Sequence, residues 1–123
     1  MSKNKERPDI AILHQDEHIL VVCKPAGVLV IPDRAGRGGI LRTLRQKLEL
    51  SSEQDLRVVH RIDRDTTGVL LIARHLDAQR HLVTQFQKRK VTKKYLALVA
   101  GQPASEAGII DQRIGKSGQA GRF

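Results

Sequence analysis

Residues 57–74 read RVVHRIDRDTTGVLLIAR, and the fold class turns on how they divide. Residues 57–62 have the short, β-branched character of a strand. Residues 69–73 are apolar without a break, the pattern of a strand covered on both faces. Between the two runs sits the densest polar cluster of the chain, His60-Arg61-Ile62-Asp63-Arg64-Asp65-Thr66-Thr67-Gly68. A loop held between two strands is a place where scaffolds present functional groups. An aspartate positioned among arginines is a candidate nucleophile or base. The same residues also fit an ordinary connection, with Asp and Thr capping turns and the arginines in solvent.

Working outward, three apolar patches of strand character precede the cluster, at residues 10–13, 19–23 and 28–31. The polar HQDEH, residues 14–18, reads as the turn between the first two. Lys24-Pro25-Ala26-Gly27 is a sharp bend, because proline removes a ladder donor and glycine permits positive φ. The composition of PDRAGRGG, residues 32–39, predicts a loop. The spacing predicts a helix over 40–50, with Ile40, Leu41, Leu44 and Leu48 on one face and Arg42, Arg45 and Lys47 largely off it. On the other side a second amphipathic helix is expected over 75–90. Leu76, Leu82, Val83 and Phe86 would face inward, and Lys88, Arg89 and Lys90 would form a basic end that suits a helix C-terminus. Residues 91–100 and 108–114 read as further strands, separated by a turn at Gly101-Gln102-Pro103. The order implies an α+β fold: a mixed, largely antiparallel sheet with two amphipathic helices. Residues 1–9 are expected to be a flexible N-terminus, 10–114 the folded domain, and 115–123 a tail or truncation point.

The chain has 123 residues, 40% hydrophobic and 28% charged, an ordinary globular balance. No apolar run approaches the ~18 residues of a membrane span, and no apolar stretch behind the first charges suggests a secretory signal. The single cysteine, Cys23, allows no internal disulfide and no cysteine-rich zinc site, so a cytoplasmic setting is expected. Cys23 itself reads as a small core residue. Twenty-two Lys and Arg against 13 Asp and Glu leave a net charge of +9, which attracts polyanions, RNA above all. With one Tyr, two Phe and no Trp, a multi-base stacking platform is not expected.

Several chemistries fail on spacing. The contiguous His-Arg-Asp of a kinase, a P-loop and a serine elbow are all absent. His14 and His18 are four apart without the order of a zinc protease helix, and no metal site is expected. Gly36-Arg37-Gly38-Gly39 reads as a flexible loop that can also touch phosphate through its amides.

Three stretches together resemble the RluA-type pseudouridine synthase family: HQDEHILVVCKPAGVLVIPDR (14–34), HRIDRDTTGVLLIAR (60–74) and KKYLALVAG (93–101). The second is similar to the family's His-Arg-Leu-Asp-x-x-Thr-Ser-Gly-Leu-Leu, with Ile62 for Leu and Thr67 for Ser; Cys23 stands where Asn is common. The resemblance implies part of the pseudouridine synthase catalytic fold, and isomerisation of uridine to pseudouridine in ribosomal or transfer RNA, without cofactor or metal. It implies Asp63 as the catalytic aspartate, Tyr95 as the tyrosine stacking on the uracil, and Arg61 as the arginine filling the space of the flipped base. Lys24, Arg34, Arg37, His60, Arg64, Thr66, Lys88, Arg89 and Lys90 are the expected RNA-binding or loop-shaping residues, and Arg42 and Arg45 join the phosphate candidates on charge alone. The resemblance spans residues 10–114 and about the first half of the family's catalytic domain, so a truncated domain is expected. Two other readings stay open: a non-catalytic, basic RNA-binding module that retains the fold, and a basic ribosomal or structural protein with an accidental motif.

Overall fold

The structure, a computed structural model, describes residues 8–52 and 55–115. The chain forms two compact units, divided between Thr92 and Lys93.

The first unit is built on a four-stranded antiparallel sheet. Its strands are β1 (Ala11–Gln15), β2 (Ile19–Lys24), β3 (Arg57–Val58) and β4 (Gly68–Ala73), in the spatial order β1-β2-β4-β3. β2 and β4 pair along their whole length, from Ile19 opposite Ala73 to Lys24 opposite Gly68. Two helices complete the unit, α1 (Ile40–Lys47) and α2 (Leu76–Gln87). An α+β fold with an antiparallel sheet and two helices is therefore what the residues adopt; every described pairing is antiparallel.

Side chains alternate across a strand. Leu20 and Val22 of β2 thus share one face with Leu70 and Ile72 of β4, and all four are buried. Ile10, Val30, Ile40, Leu44 and Leu56 close over that face to complete the core. α1 presents Ile40 and Leu44 to it, with Leu41 and Leu48 at the margin, the stripe that its spacing implies. α2 contacts β3 and β4, and Gln79 fastens it by donating to the Val58 carbonyl at 2.9 Å. Its Leu82, Val83 and Phe86 are only half-buried and Leu76 is exposed, so the inward face expected for this helix is covered in part.

Several expected elements are shorter or absent, for identifiable reasons. Residues 28–31 make no strand. Val30 is buried from an irregular segment, and the Leu29 carbonyl accepts from Ile40 N–H to start α1. The expected strand over 57–62 stops at Val58. Both helices end early because Glu49 and Arg89 take left-handed φ values of 55° and 52°. Around each, two backbone bonds close the helix end: Leu50 N–H to Arg45 O with Glu49 N–H to Gln46 O, and Lys90 N–H to Gln85 O with Arg89 N–H to Phe86 O. His75, expected inside α2, is its N-cap, and its Nδ1 accepts from Ala78 N–H at 3.2 Å. Leu13 bulges out of the β1–β2 ladder, where the register shifts between Ile12 and His14, and it is exposed. Val69 is exposed too, so β4 is not covered on both faces along its length, and Cys23 is half-buried rather than in the core.

The described part of the second unit, residues 93–115, contains no helix or strand. Leu96, Leu98, Ile109, Ile110 and Ile114 are exposed. The apolar residues that suggest strands at 91–100 and 108–114 are there, but a strand exists only when a neighbour satisfies its N–H and C=O groups, and these segments have no described ladder partner. The expected flexibility of residues 1–9 and 115–123 falls almost wholly outside the described residues.

Candidate active site

The polar cluster at residues 60–68 lies between β3 and β4. At its centre is a tight turn: the Asp63 carbonyl accepts from Thr66 N–H at 3.1 Å, with Arg64 and Asp65 at the corner. Asp63 points into solvent, and its carboxylate has no hydrogen bond or ion pair among the described residues. Arg61 is likewise exposed and without such a partner. Gly68, at φ 127°, returns the chain to β4 through a conformation that strains any residue with a Cβ.

The turn is tied to the KPAG bend forty residues earlier in sequence. The Lys24 side chain, fully buried, is the one buried polar or charged side chain among the described residues. Its Nζ donates to three carbonyls: Pro25 at 2.9 Å, Val28 at 2.8 Å and Arg64 at 2.7 Å. Gly27, left-handed at φ 82°, directs its N–H to the same Arg64 carbonyl at 2.9 Å. Burial pulls the Lys24 pKa below its ordinary value, while the charges of Asp65 and Asp63 pull it back up. Of the two roles expected for Lys24, RNA binding or loop shaping, an ammonium enclosed by three carbonyls favours the second. It fixes the backbone on which Asp63 stands.

His60 is also engaged within the protein. Its Nε2 accepts from Leu71 N–H at 3.1 Å, and its ring stacks on Phe86 with centroids 4.6 Å apart. β3 has ended by then, so the imidazole takes a backbone donor of β4 that no longer has a strand partner. Arg64 is turned onto Asp65 through Nε at 3.2 Å and Nη2 at 3.3 Å, and this pairing holds the Asp65 carboxyl below the usual carboxylate range. Arg37 pairs with Asp33 at 3.1 Å inside a loop in which Asp33 Oδ1 also accepts from the N–H groups of Ala35 and Arg37. Arg34 is exposed at the corner of that loop, and Lys88, Arg89 and Lys90 are exposed beyond α2. Tyr95 belongs to the second unit and is 65% exposed. Among the described residues no group of three or more His, Cys, Asp or Glu is arranged to hold a metal ion, and no helix is long and apolar enough to cross a membrane.

Sequence reasoning did not single out Gly27 or Phe86 as supports of this loop. For Lys24 a signal was present: by the period of two it shares the inward face of β2 with Leu20 and Val22.

Residues 18–122 match the RNA pseudouridylate synthase family. The chain belongs to that family. It is 38% identical over 117 residues to the ribosomal large subunit pseudouridine synthase D of Nitrosomonas europaea, covering 94% of this chain and 34% of that protein. It is 37% identical over 108 residues to the dual-specificity RNA pseudouridine synthase RluA of Salmonella typhi, covering 86% of this chain and 47% of that one. Among solved structures, human RNA pseudouridylate synthase domain containing 4 superposes with a TM-score of 0.54 at 31% identity, over 65% of this chain and 30% of that chain. This member of the family thus spans between about a third and a half of the length of these two curated relatives.

Proposed function

We propose that this chain carries the aspartate-bearing part of an RNA pseudouridine synthase, acting on ribosomal or transfer RNA in the cytoplasm, with Asp63 as the reacting carboxylate. The supporting observation is the combination of an exposed Asp63 with a rigidly tied turn. The carboxylate is open to a ligand while the backbone next to it is clamped by Lys24 and Gly27 through the Arg64 carbonyl. Catalysis by positioning needs such a held group.

The reaction fits the residue. The bond from ribose C1′ to uracil N1 breaks, the ring turns, C1′ bonds to C5, the C5 proton leaves and N1 takes one up. Atoms and oxidation state balance within the nucleoside, so neither cofactor nor metal enters. A carboxylate can serve such a sequence by attacking an electrophilic carbon or by removing a ribose proton. Arg61, exposed two residues before Asp63, is suited to fill the stack left by the extruded base. Tyr95 is the aromatic proposed to stack on the uracil. Arg34, Arg37, Arg64, Lys88, Arg89 and Lys90 supply positive charge to the RNA backbone, and His60 and Thr66 shape the loop.

Tritium release from RNA labelled at uracil C5 tests the reading. Release that Asp63→Asn abolishes while RNA binding persists assigns the chemistry to Asp63. Release that survives Asp63→Asn removes Asp63 from the chemistry. RNA binding with no release from the unaltered, folded chain points to a part of the synthase that needs the rest of its domain, or to the binding-only module.

A further inference from the structure

A cleft of about 370 Å³ opens beside the Asp63 turn, between the KPAG bend and the start of α1. Its polar lining comes from Arg42, Thr43 and Arg64, and its floor includes the backbone of Gly27, Gly38 and Gly39. None of the lining residues is acidic. We propose that this cleft is a subsite for a backbone phosphate of the RNA, with Arg42 as its direct ligand, beside the nucleotide presented to Asp63.

Four observations carry the inference. Arg42 is exposed and has no hydrogen bond or ion pair among the described residues, so its guanidinium is not already spent on a protein carboxylate. Arg64 lies across the cleft. Its Nε and Nη2 are on Asp65, and the residue lines the cleft. Gly38 and Gly39 line the cleft without a side chain. A Cβ on Gly39 would fall 2.9 Å from Pro32 Cγ, and both glycines have left-handed φ. The first turn of α1 has neither an acidic residue nor a side-chain cap; its Ile40 N–H is taken by the Leu29 carbonyl, and the helix end adds to the positive field without carrying the site alone.

A phosphate suits this geometry better than a carboxylate-bearing protein. The forked Arg42 guanidinium beside the Thr43 hydroxyl matches its several acceptor oxygens. The position also matters. The Arg64 carbonyl is the atom that Lys24 and Gly27 clamp, so an anion held by Arg42 and Arg64 is referenced to the same turn that carries Asp63. The subsite rests on RNA being the substrate, as proposed above.

The test is RNA binding, read apart from turnover. A fluorescein-labelled hairpin RNA with uridine in its loop is titrated with the chain by anisotropy at several salt concentrations. Arg42→Ala should weaken binding about 3- to 10-fold and reduce the slope of log affinity against log salt by about one, the mark of one lost phosphate contact. Arg42→Lys should recover part of the affinity. Arg80→Ala, which removes an exposed arginine of α2 outside the cleft, serves as the control for net charge. An unchanged slope for Arg42→Ala, or an equal loss for Arg80→Ala, overturns the subsite, as does a loss of folded structure by circular dichroism that Arg42→Lys shares. Should Arg42 prove to matter while Asp63→Asn still releases tritium, the subsite stands and the catalytic reading falls. The opposite pair of results reverses that judgement.

Discussion

The ammonium of Lys24 donates to the carbonyl of Arg64 at 2.7 Å, joining residues forty apart in sequence. One side chain thereby connects the end of β2 to the turn that displays Asp63. Replacing it should be costly in two separable ways. Lys24→Met keeps most of the buried stem but leaves carbonyls without their charged donor, which should cost about 3 kcal/mol. Lys24→Ala should cost more, because it also opens a cavity. Urea unfolding of both variants checks the order. Equal losses would show that the hydrogen bonds, not the stem, carry the effect, and no loss in either would refute the clamp.

Glycine substitution should strengthen the helix ends. Glu49 and Arg89 occupy the left-handed position of a helix C-terminal motif with side chains that disfavour it. Glu49→Gly and Arg89→Gly should each stabilise the fold by about 0.5–1 kcal/mol. Glu49→Gly should do more, since it also removes a negative charge from the end of α1. Denaturant midpoints measure both, and destabilisation by either change would contradict the assigned geometry.

The reverse holds at the start of α1. Gly39 has φ 93°, and a Cβ there would lie 2.9 Å from Pro32 Cγ and 3.1 Å from Pro32 Cδ. A proline ring cannot swing aside as a flexible chain end can. Gly39→Ala should therefore destabilise by more than about 1 kcal/mol. Gly36→Ala, where a Cβ meets nothing within 4 Å, should cost only the conformational strain.

Acid should loosen the β1–β2 turn. Asp16 Oδ2 accepts from the His14 ring at 2.8 Å, and Oδ1 accepts from the N–H groups of His18 and Ile19, each at 2.8 Å. The His14 contact first, then the two backbone donors, hold the Asp16 carboxyl well below the usual carboxylate range. A lowered folded pKa gives stability that is complete above the unfolded value, about 4, and is lost as pH falls through the folded one. Urea midpoints between pH 5 and pH 2 should fall more steeply for the wild type than for Asp16→Asn. Parallel curves would count against this linkage.

The sequence displayed the loop and the strands that frame it, because an unbroken apolar run next to a polar cluster has few other solutions. It displayed α1 for the same reason: Ile40 and Leu44 recur at helical spacing, and both are buried. Lys24 was harder to read, since a lysine is ordinarily a surface cation and only its place in the alternation of β2 betrays the inward direction. Residues 96–99 were readable as strand by pattern, but pattern states a preference and pairing depends on a neighbour the local sequence does not name. The helix limits were missed because Glu49 and Arg89 carry no hint of left-handed backbone.

The bond from Leu71 N–H to His60 Nε2 has a practical consequence. A mid-strand amide is normally shielded from solvent exchange by the adjoining strand, and its protection reports the sheet. The Leu71 amide is guarded by an imidazole on the segment that leads into the loop. Its deuterium exchange should therefore follow openings of that loop rather than melting of the sheet, and a single amide resonance becomes a clock for how often the residues ahead of Asp63 let go.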